Sequence, residues 1–439
     1  FISFFFLATI SYAQYKISGT ITASNKQTSA LLYKIQDLKL TFVQKTQLIK
    51  NRFQFLLPEN SVSGMYRIIY DPQNNRFIDV IFHQENIDFK YNDVNGLSTI
   101  QFVESAENRE YQLSMKLIGN AHKILDSLQL AYLQEASKKT ATAYQKKSIA
   151  YLKTKNSILE RSKKLFVKQI IQANFQHYSP EVIPSAKDYL DYKYTHFFDT
   201  INFNNEQITN SSLFIDKITD FVFYLNTSDN QKTQEKIYKK GVNEVVTKAT
   251  NPILKKNIIE FLLYLFTSEK KTSVVDFILE NYFKKLPVTL QDTEFKQSIL
   301  EELAAEIGRT APDFSWSENS QDFALSKLKS TQNYVLVFWS TSCSHCRKEI
   351  PELYTFTKEK TNVKVIAFGM ETNADKWANF TKPLKKWHHA LGLGKWENET
   401  AKIYQIYSTP SYFVLNENKK IIAKPETLEG LKNIIGLMH

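Results

Sequence analysis

From Gln14 to about Val103, apolar and polar residues alternate in short runs: YKISGTITA, LKLTFVQ, RFQFLLP, MYRIIYD and RFIDVIFHQENIDFKYN. A period of two puts every second side chain on one face of a strand, and Asn74 with Asn75 and Asn92 with Asp93 supply turn residues between runs. The pattern predicts an N-terminal antiparallel β domain, a small sandwich or sheet, over 14–104. From Ser105 the period lengthens. Leu113, Leu117, Ala121, Ile124, Leu128 and Tyr132 recur at helical spacing, and only Gly241 interrupts the stretch between Gly119 and Gly308. An all-α helical region over 105–308 is predicted. GRTAPDFSW (308–316) then reads as a linker, after which strand and helix signals alternate through 309–439, as in an α/β layered domain. The chain is therefore read as multidomain.

Within that last stretch YVLVFW (334–339) is apolar throughout, as a strand buried on both faces would be. CRKEIPELYTFTKE follows with Ile350, Leu353, Tyr354 and Phe356 at helical spacing. NVKVIAFGM (362–370) is a second buried strand; NADKWANFTK and ENETAKIYQIY are helices. SYFVL and KKIIAK pair as a hairpin across 416–418, and LEGLKNIIGLM closes the chain as a helix. At the other end FISFFFLATISYA is apolar and finishes in the small-x-small pattern of Ser11, Tyr12 and Ala13. It is read as a signal-peptide remnant over 1–13, the alternative being an edge strand. An exported protein of the periplasm or cell envelope of a Gram-negative-type bacterium is expected. Neither that segment nor IIEFLLYLF (258–266) reaches the roughly 20 apolar residues that span a bilayer, so no stable membrane span is expected.

Charge changes the picture little. The net charge of +11 arises from 56 basic against 45 acidic residues, much of the excess lying in the lysine-rich stretch 138–157. That stretch reads as the solvated face of a long helix or as a patch for an acidic partner or anionic membrane surface. No motif supports nucleic-acid binding. His122, His177 and His196 read as surface or core histidines, because no carboxylate or cysteine stands beside them at ligand spacing, and no metal centre is expected.

Sulfur changes it a great deal. The chain has two cysteines, Cys343 and Cys346, separated by two residues. Random placement would give that spacing roughly half a per cent of the time. A structural disulfide closing so short a loop would remove almost no chain entropy. Half a zinc site would need two further ligands, and His388 with His389 are the clustered candidates. Redox chemistry needs only what is present. Cys343 falls where the strand ends and a helix begins, so unpaired N–H groups and the nearby His345, Arg347 and Lys348 favour its thiolate. Cys346, one turn along, is placed to resolve a mixed disulfide.

Residues 309–439 resemble the TlpA/ResA group of exported thiol–disulfide oxidoreductases, which have the thioredoxin fold. APDFSW resembles that group's entry segment, VFWSTSCSHC its aromatic run before Cys-x-x-Cys, and YSTPSYFVL (407–415) its Thr-Pro before a strand. The resemblance implies a C-terminal α/β thioredoxin-like fold with an αβ insertion after its second strand. It further implies that Glu349 handles protons for the cysteines, that Pro351 kinks the helix, and that Pro410 is cis and, with Thr409, shapes the substrate face beside the disulfide. Trp339 is expected in the core with one edge over the sulfurs, and His345 stands beside the second cysteine, as in more oxidising members of the group, shaping the site. Ser342 stands where a second tryptophan is usual, and Val337 where thioredoxin has a buried aspartate, which leaves Glu349 as the proton relay. The activity so implied is a disulfide reductase acting on disulfide-bonded or thiol-containing envelope proteins, re-reduced by an unidentified electron donor, with no cofactor beyond the Cys343–Cys346 disulfide. An oxidase or isomerase direction, or a partner-binding scaffold with an accessory redox domain, are the alternatives.

Overall fold

The computed structural model describes residues 14–23, 27–94, 97–318, 320–329 and 333–438, so the signal-peptide reading of 1–13 lies outside the described residues. Contacts divide the chain into two units, Phe1–Ile258 and Ile259–His439.

Among the described residues the first unit opens with eight strands: β1 (Gln14–Ala23), β2 (Ser29–Gln36), β3 (Lys39–Gln47), β4 (Arg52–Pro58), β5 (Gly64–Asp71), β6 (Arg76–Phe82), β7 (Ile87–Val94) and β8 (Leu97–Glu104). They form two four-stranded sheets, ordered β4-β1-β7-β8 and β3-β2-β5-β6. Alternate residues such as Ile17, Leu32, Phe55, Ile68, Val80 and Phe89 meet in one core. The expected antiparallel pattern needs one correction: β1 and β7 run parallel, Ile17 opposite Ile87. A parallel pair requires a long crossover, which strands β2 to β6 supply. The turn expected at Asn92 and Asp93 is strand instead. The Asp93 carboxylate is buried and accepts from the Tyr70 hydroxyl at 2.6 Å and from Arg76, which satisfies a turn-forming residue inside a sheet.

Helices follow: α1 (Ala106–Gln134), α2 (Lys138–Arg161), α3 (Lys168–Asn174), α4 (Ala186–His196), α5 (Glu206–Thr209), α6 (Ser212–Thr219) and α7 (Gln231–Lys248), with a π-helical turn at Asp220–Tyr224. Ser105 starts α1 by accepting from the Asn108 N–H at 3.0 Å. The buried stripe of α1 is not the apolar one read from the sequence. Leu113 and Ile124 are 46% and 40% exposed, while Ser114, Ile118, Leu125 and Gln129 face inward. The polar members are paired: Ser114 donates to Glu110, and the Gln129 amide exchanges two hydrogen bonds with Ile183. In α2 Tyr144, Ser148, Tyr151 and Ile158 are buried and Lys138, Lys139, Lys146 and Lys147 are exposed, so the lysine-rich stretch is a solvated helix face.

The division between the units falls inside α8 (Pro252–Ser268), and α9 (Thr272–Asn281) and α10 (Thr293–Glu302) lie in the second unit. Then come β9 (Ser315–Glu318), β10 (Gln321–Ala324), β11 (Asn333–Trp339), α11 (Ser344–Thr357), β12 (Val363–Glu371), α12 (Asp375–Thr381), β13 (His388–Leu393), α13 (Glu399–Ile403), β14 (Ser411–Leu415), β15 (Ile421–Ala423) and α14 (Leu428–Gly436). Five of these strands form one sheet, β13-β12-β11-β14-β15, in which β11 runs parallel to β12 and antiparallel to β14. The strand of the αβ insertion, not located in the sequence, is the edge strand β13. Its His-His-Ala-Leu-Gly-Leu text has little β-branched character. The stretch read as a linker is also paired: Gly308 donates to Ile421 O, Ile421 to Arg309 O and Ala311 to Lys419 O, covering the free edge of β15.

The pleat of β11 divides the domain core in two. Tyr334, Leu336 and Phe338 enter one layer, and Val335, Val337 and Trp339 enter the other, which also holds Cys346, Ile350 and Leu353 of α11. Every residue from Tyr334 to Trp339 is buried, as the unbroken apolar run requires. The strand thus aims its end at the start of α11, and the cysteines sit at that joint.

Candidate active site

Strand β11 stops at Trp339, and residues 340–343 make the turn into α11. Four hydrogen bonds set this turn. Cys343 N–H donates to Ser340 O at 3.1 Å, the Ser340 and Ser342 hydroxyls lie 2.9 Å apart, and the buried Glu371 carboxylate accepts from the Thr341 N–H at 2.5 Å and its hydroxyl at 3.0 Å. Lys395 reaches over to donate to the Ser342 hydroxyl at 3.1 Å. Glu371 and Lys395 were not singled out in the sequence. The one available signal is an acid ending an otherwise apolar strand.

Cys343 is the N-cap of α11, and its sulfur accepts from the Cys346 N–H at 3.3 Å. Both cysteines are free thiols; Cys343 is half-buried and Cys346 fully buried. As a thiol, Cys343 donates to the Thr409 carbonyl at 3.2 Å. Partial burial pushes the Cys343 thiol up. Hydrogen bonds from the Cys346 thiol and N–H, the Thr409 side chain and the His345 N–H outweigh it and hold the group below the ordinary thiol value. Cys346 goes the other way: burial first, then its bond to Cys343, push it up to about 12. The two sulfurs thus differ in exposure and are pushed in opposite directions.

His345, Arg347 and Lys348 are exposed. The largest lowering influence on Cys343 is the bond from the Cys346 thiol, followed by the Cys346 N–H and Thr409; His345 contributes last, through its main-chain N–H rather than its ring. Glu349 is half-buried, one turn beyond Cys346 on the same face of α11, and accepts from the Tyr412 hydroxyl at 2.7 Å. Tyr412 was not picked out in the sequence. It is buried on β14, and burial, the bond to Glu349 and the charges of both cysteines all raise its hydroxyl, so it donates to Glu349 as a neutral phenol.

Thr409 stands against the Cys343 sulfur, and the Thr409–Pro410 peptide is cis. Pro351 lies inside α11, which continues to Thr357. Trp339 is wholly buried in the layer that contains Cys346, against Phe380 at 5.0 Å, and its indole N–H has no partner among the described residues. His388 and His389 are not with the cysteines. They sit on β13, His388 against Glu318 at 3.3 Å and the buried His389 against Leu384 O at 2.9 Å. A cleft of about 140 Å³ opens beside Cys343, lined by Ser340, Ser342, Met370, Lys395, Trp396 and Thr409. Trp396 and Tyr407, 46% and 86% exposed, continue from it into a shallow groove.

Sequence comparison supports thiol–disulfide oxidoreductase activity. Residues 306–427 match the Redoxin family. The thiol-disulfide oxidoreductase ResA of Bacillus thuringiensis subsp. konkukian is 32% identical over 122 residues, 27% of this chain and 68% of that protein. A ResA of Bacillus cereus is 30% identical over 136 residues, 28% of this chain and 76% of that protein. Among solved structures, a thiol-disulfide oxidoreductase from Bacteroides fragilis is 22% identical and covers 29% of this chain and 98% of its own, with a TM-score of 0.27. A thioredoxin-like protein from Bacteroides caccae is 13% identical and covers 60% of this chain and 97% of its own, with a TM-score of 0.37. The described residues contain no helix long and apolar enough to cross a membrane. On its sequence relatives and on the chemistry of its paired sulfurs alike, this chain belongs to the ResA-like thiol–disulfide oxidoreductases.

Proposed function

We propose that the protein is an exported disulfide reductase acting on disulfide-bonded proteins of the cell envelope. The observation that carries this is the asymmetry of the pair: a half-buried Cys343 held below the ordinary thiol value, and a buried Cys346 raised to about 12. The Cys343 thiolate attacks one sulfur of a substrate disulfide, forming a mixed disulfide and expelling the other sulfur as a thiolate that takes up a proton. Glu349, with Tyr412 holding it, then accepts the Cys346 proton. Cys346 attacks Cys343, the Cys343–Cys346 bond forms, and the second substrate thiol leaves. Two electrons pass to the substrate, and a dithiol donor must return them, since an oxidising compartment supplies none. Thr409, Pro410, Trp396 and Tyr407 form the face against which an unfolded substrate segment lies.

The balance of influences at Cys343 supports the reducing direction. A deeply stabilised thiolate makes a strong oxidant. Here burial opposes the hydrogen bonds at Cys343, and the nearby cations are exposed. Export is supported by the apolar segment 1–13 and its small-x-small ending. The test is the equilibrium potential of the couple against glutathione. A value near about −270 mV is expected, and one near about −120 mV would overturn the reductase reading in favour of an oxidant.

A further inference from the structure

The first unit carries a cluster of chemistry-bearing side chains of its own. His177, His196 and Asp199 come together although the sequence offers no ligand spacing between the two histidines. The carboxylate that the sequence reading lacked lies three residues past His196, in the turn that ends α4. Both Nδ1 atoms converge on one oxygen, Asp199 Oδ2: His196 at 2.7 Å and His177 at 3.2 Å. One ligand atom from each of the three residues lies within 4.8 Å of the others.

The cluster is held from outside itself. Thr200, next to Asp199, donates to Phe175 O at 2.7 Å and to Ala173 O at 3.3 Å, which ties the turn to the segment carrying His177. Lys193, one turn before His196, donates to Gln176 at 2.9 Å and ties the same segment from its other side. The Tyr192 ring lies 5.8 Å from that of His177 and 4.4 Å from that of His196, which fixes both imidazole planes. Beside the imidazoles a cleft of about 240 Å³ opens against the π-helical turn Asp220–Tyr224. π-Helical turns are rare and gather at functional sites. The two cations of the cleft have their own carboxylates: Lys193 lies 3.3 Å from Asp126, and Lys217 is attracted by Asp220. Asp199 is left to the imidazoles.

We infer that His177, His196 and Asp199 bind one divalent transition-metal ion of the zinc class, with the remaining coordination position open to the cleft. Two neutral imidazoles and a carboxylate are a donor set that zinc accepts in sites keeping one position for water. Ligand atoms at about 2.0 Å from a tetrahedral ion stand about 3.3 Å apart. The His177–Asp199 edge already has nearly that length, and the His196–Asp199 edge must open by about 0.6 Å as the ion replaces the shared proton.

The site is tested on the tag-free full chain carrying Cys343→Ser and Cys346→Ser, so that no dithiol competes, stripped with chelator and titrated with Zn²⁺ by calorimetry. One ion per chain is expected. In the same background His196→Ala and Asp199→Asn are each expected to weaken binding by at least about tenfold, with unchanged circular dichroism, while His83→Ala, an exposed histidine elsewhere in the unit, leaves it unchanged. No saturable binding by the parent chain, equal binding by the two site variants, or equal loss with His83→Ala would each overturn the inference.

Discussion

Cys343→Ser is expected to abolish disulfide exchange, lowering the rate on the order of a thousandfold or more. Cys346→Ser is expected to stop the reaction halfway. The two outcomes differ because the sulfurs differ. Cys343 is reachable and held below the ordinary thiol value, so without it no sulfur attacks. Cys346 is buried and strongly raised, and it acts only after a mixed disulfide has brought its target into bonding distance. Non-reducing electrophoresis of each variant with a disulfide-bonded protein distinguishes the roles. Cys346→Ser should accumulate a covalent adduct that dithiothreitol releases, and Cys343→Ser should accumulate none. An adduct trapped by Cys343→Ser, or full turnover by it, would reverse the assignment.

Glu349→Gln carries the second large effect, an expected loss of about a hundredfold in the resolving step at neutral pH. Burial raises the Cys346 thiol above its ordinary value, so its attack on Cys343 is expected to need a base. Glu349 stands one helical turn away, and the Tyr412 hydroxyl orients it at 2.7 Å. Glutamine preserves shape and the bond from Tyr412 but accepts no proton. Resolution in Glu349→Gln should then depend on hydroxide and rise more steeply with pH than in the parent. Single-turnover measurement of adduct decay against pH reads this directly. Tyr412→Phe should fall between the two, and Glu349→Asp should recover part of the loss. An unchanged pH profile in Glu349→Gln would show that Glu349 is only structural.

The reactive joint was legible because its signals are local. An unbroken apolar run, a polar break and a helical period place Cys343 at a helix start from residues 334–356 alone. Thr409 was reached only through the family resemblance, and the other distant partners of the joint were not legible, because they come from long-range pairing. Glu371 reaches Thr341 across 30 positions and Tyr412 reaches Glu349 across 63, and neither carries a motif. Polar burial misled the reading in the same way. Ser114 and Gln129 occupy the inner face of α1 because partners elsewhere satisfy them, and Asp93 holds a strand position for the same reason. His177 and His196 looked solitary because the contacts that join them run through Thr200 and Lys193.

The measurement closest to the central claim is the pH dependence of alkylation at each sulfur of the reduced protein, resolved by mass spectrometry. A group whose folded pKa is depressed ionises before its unfolded counterpart. Cys343 should therefore gain reactivity below the free-thiol value of about 8.5, while Cys346 stays unmodified through the same range. A Cys343 that titrates at or above that value, or a Cys346 that is modified first, would contradict the assignment of attacking and resolving sulfurs.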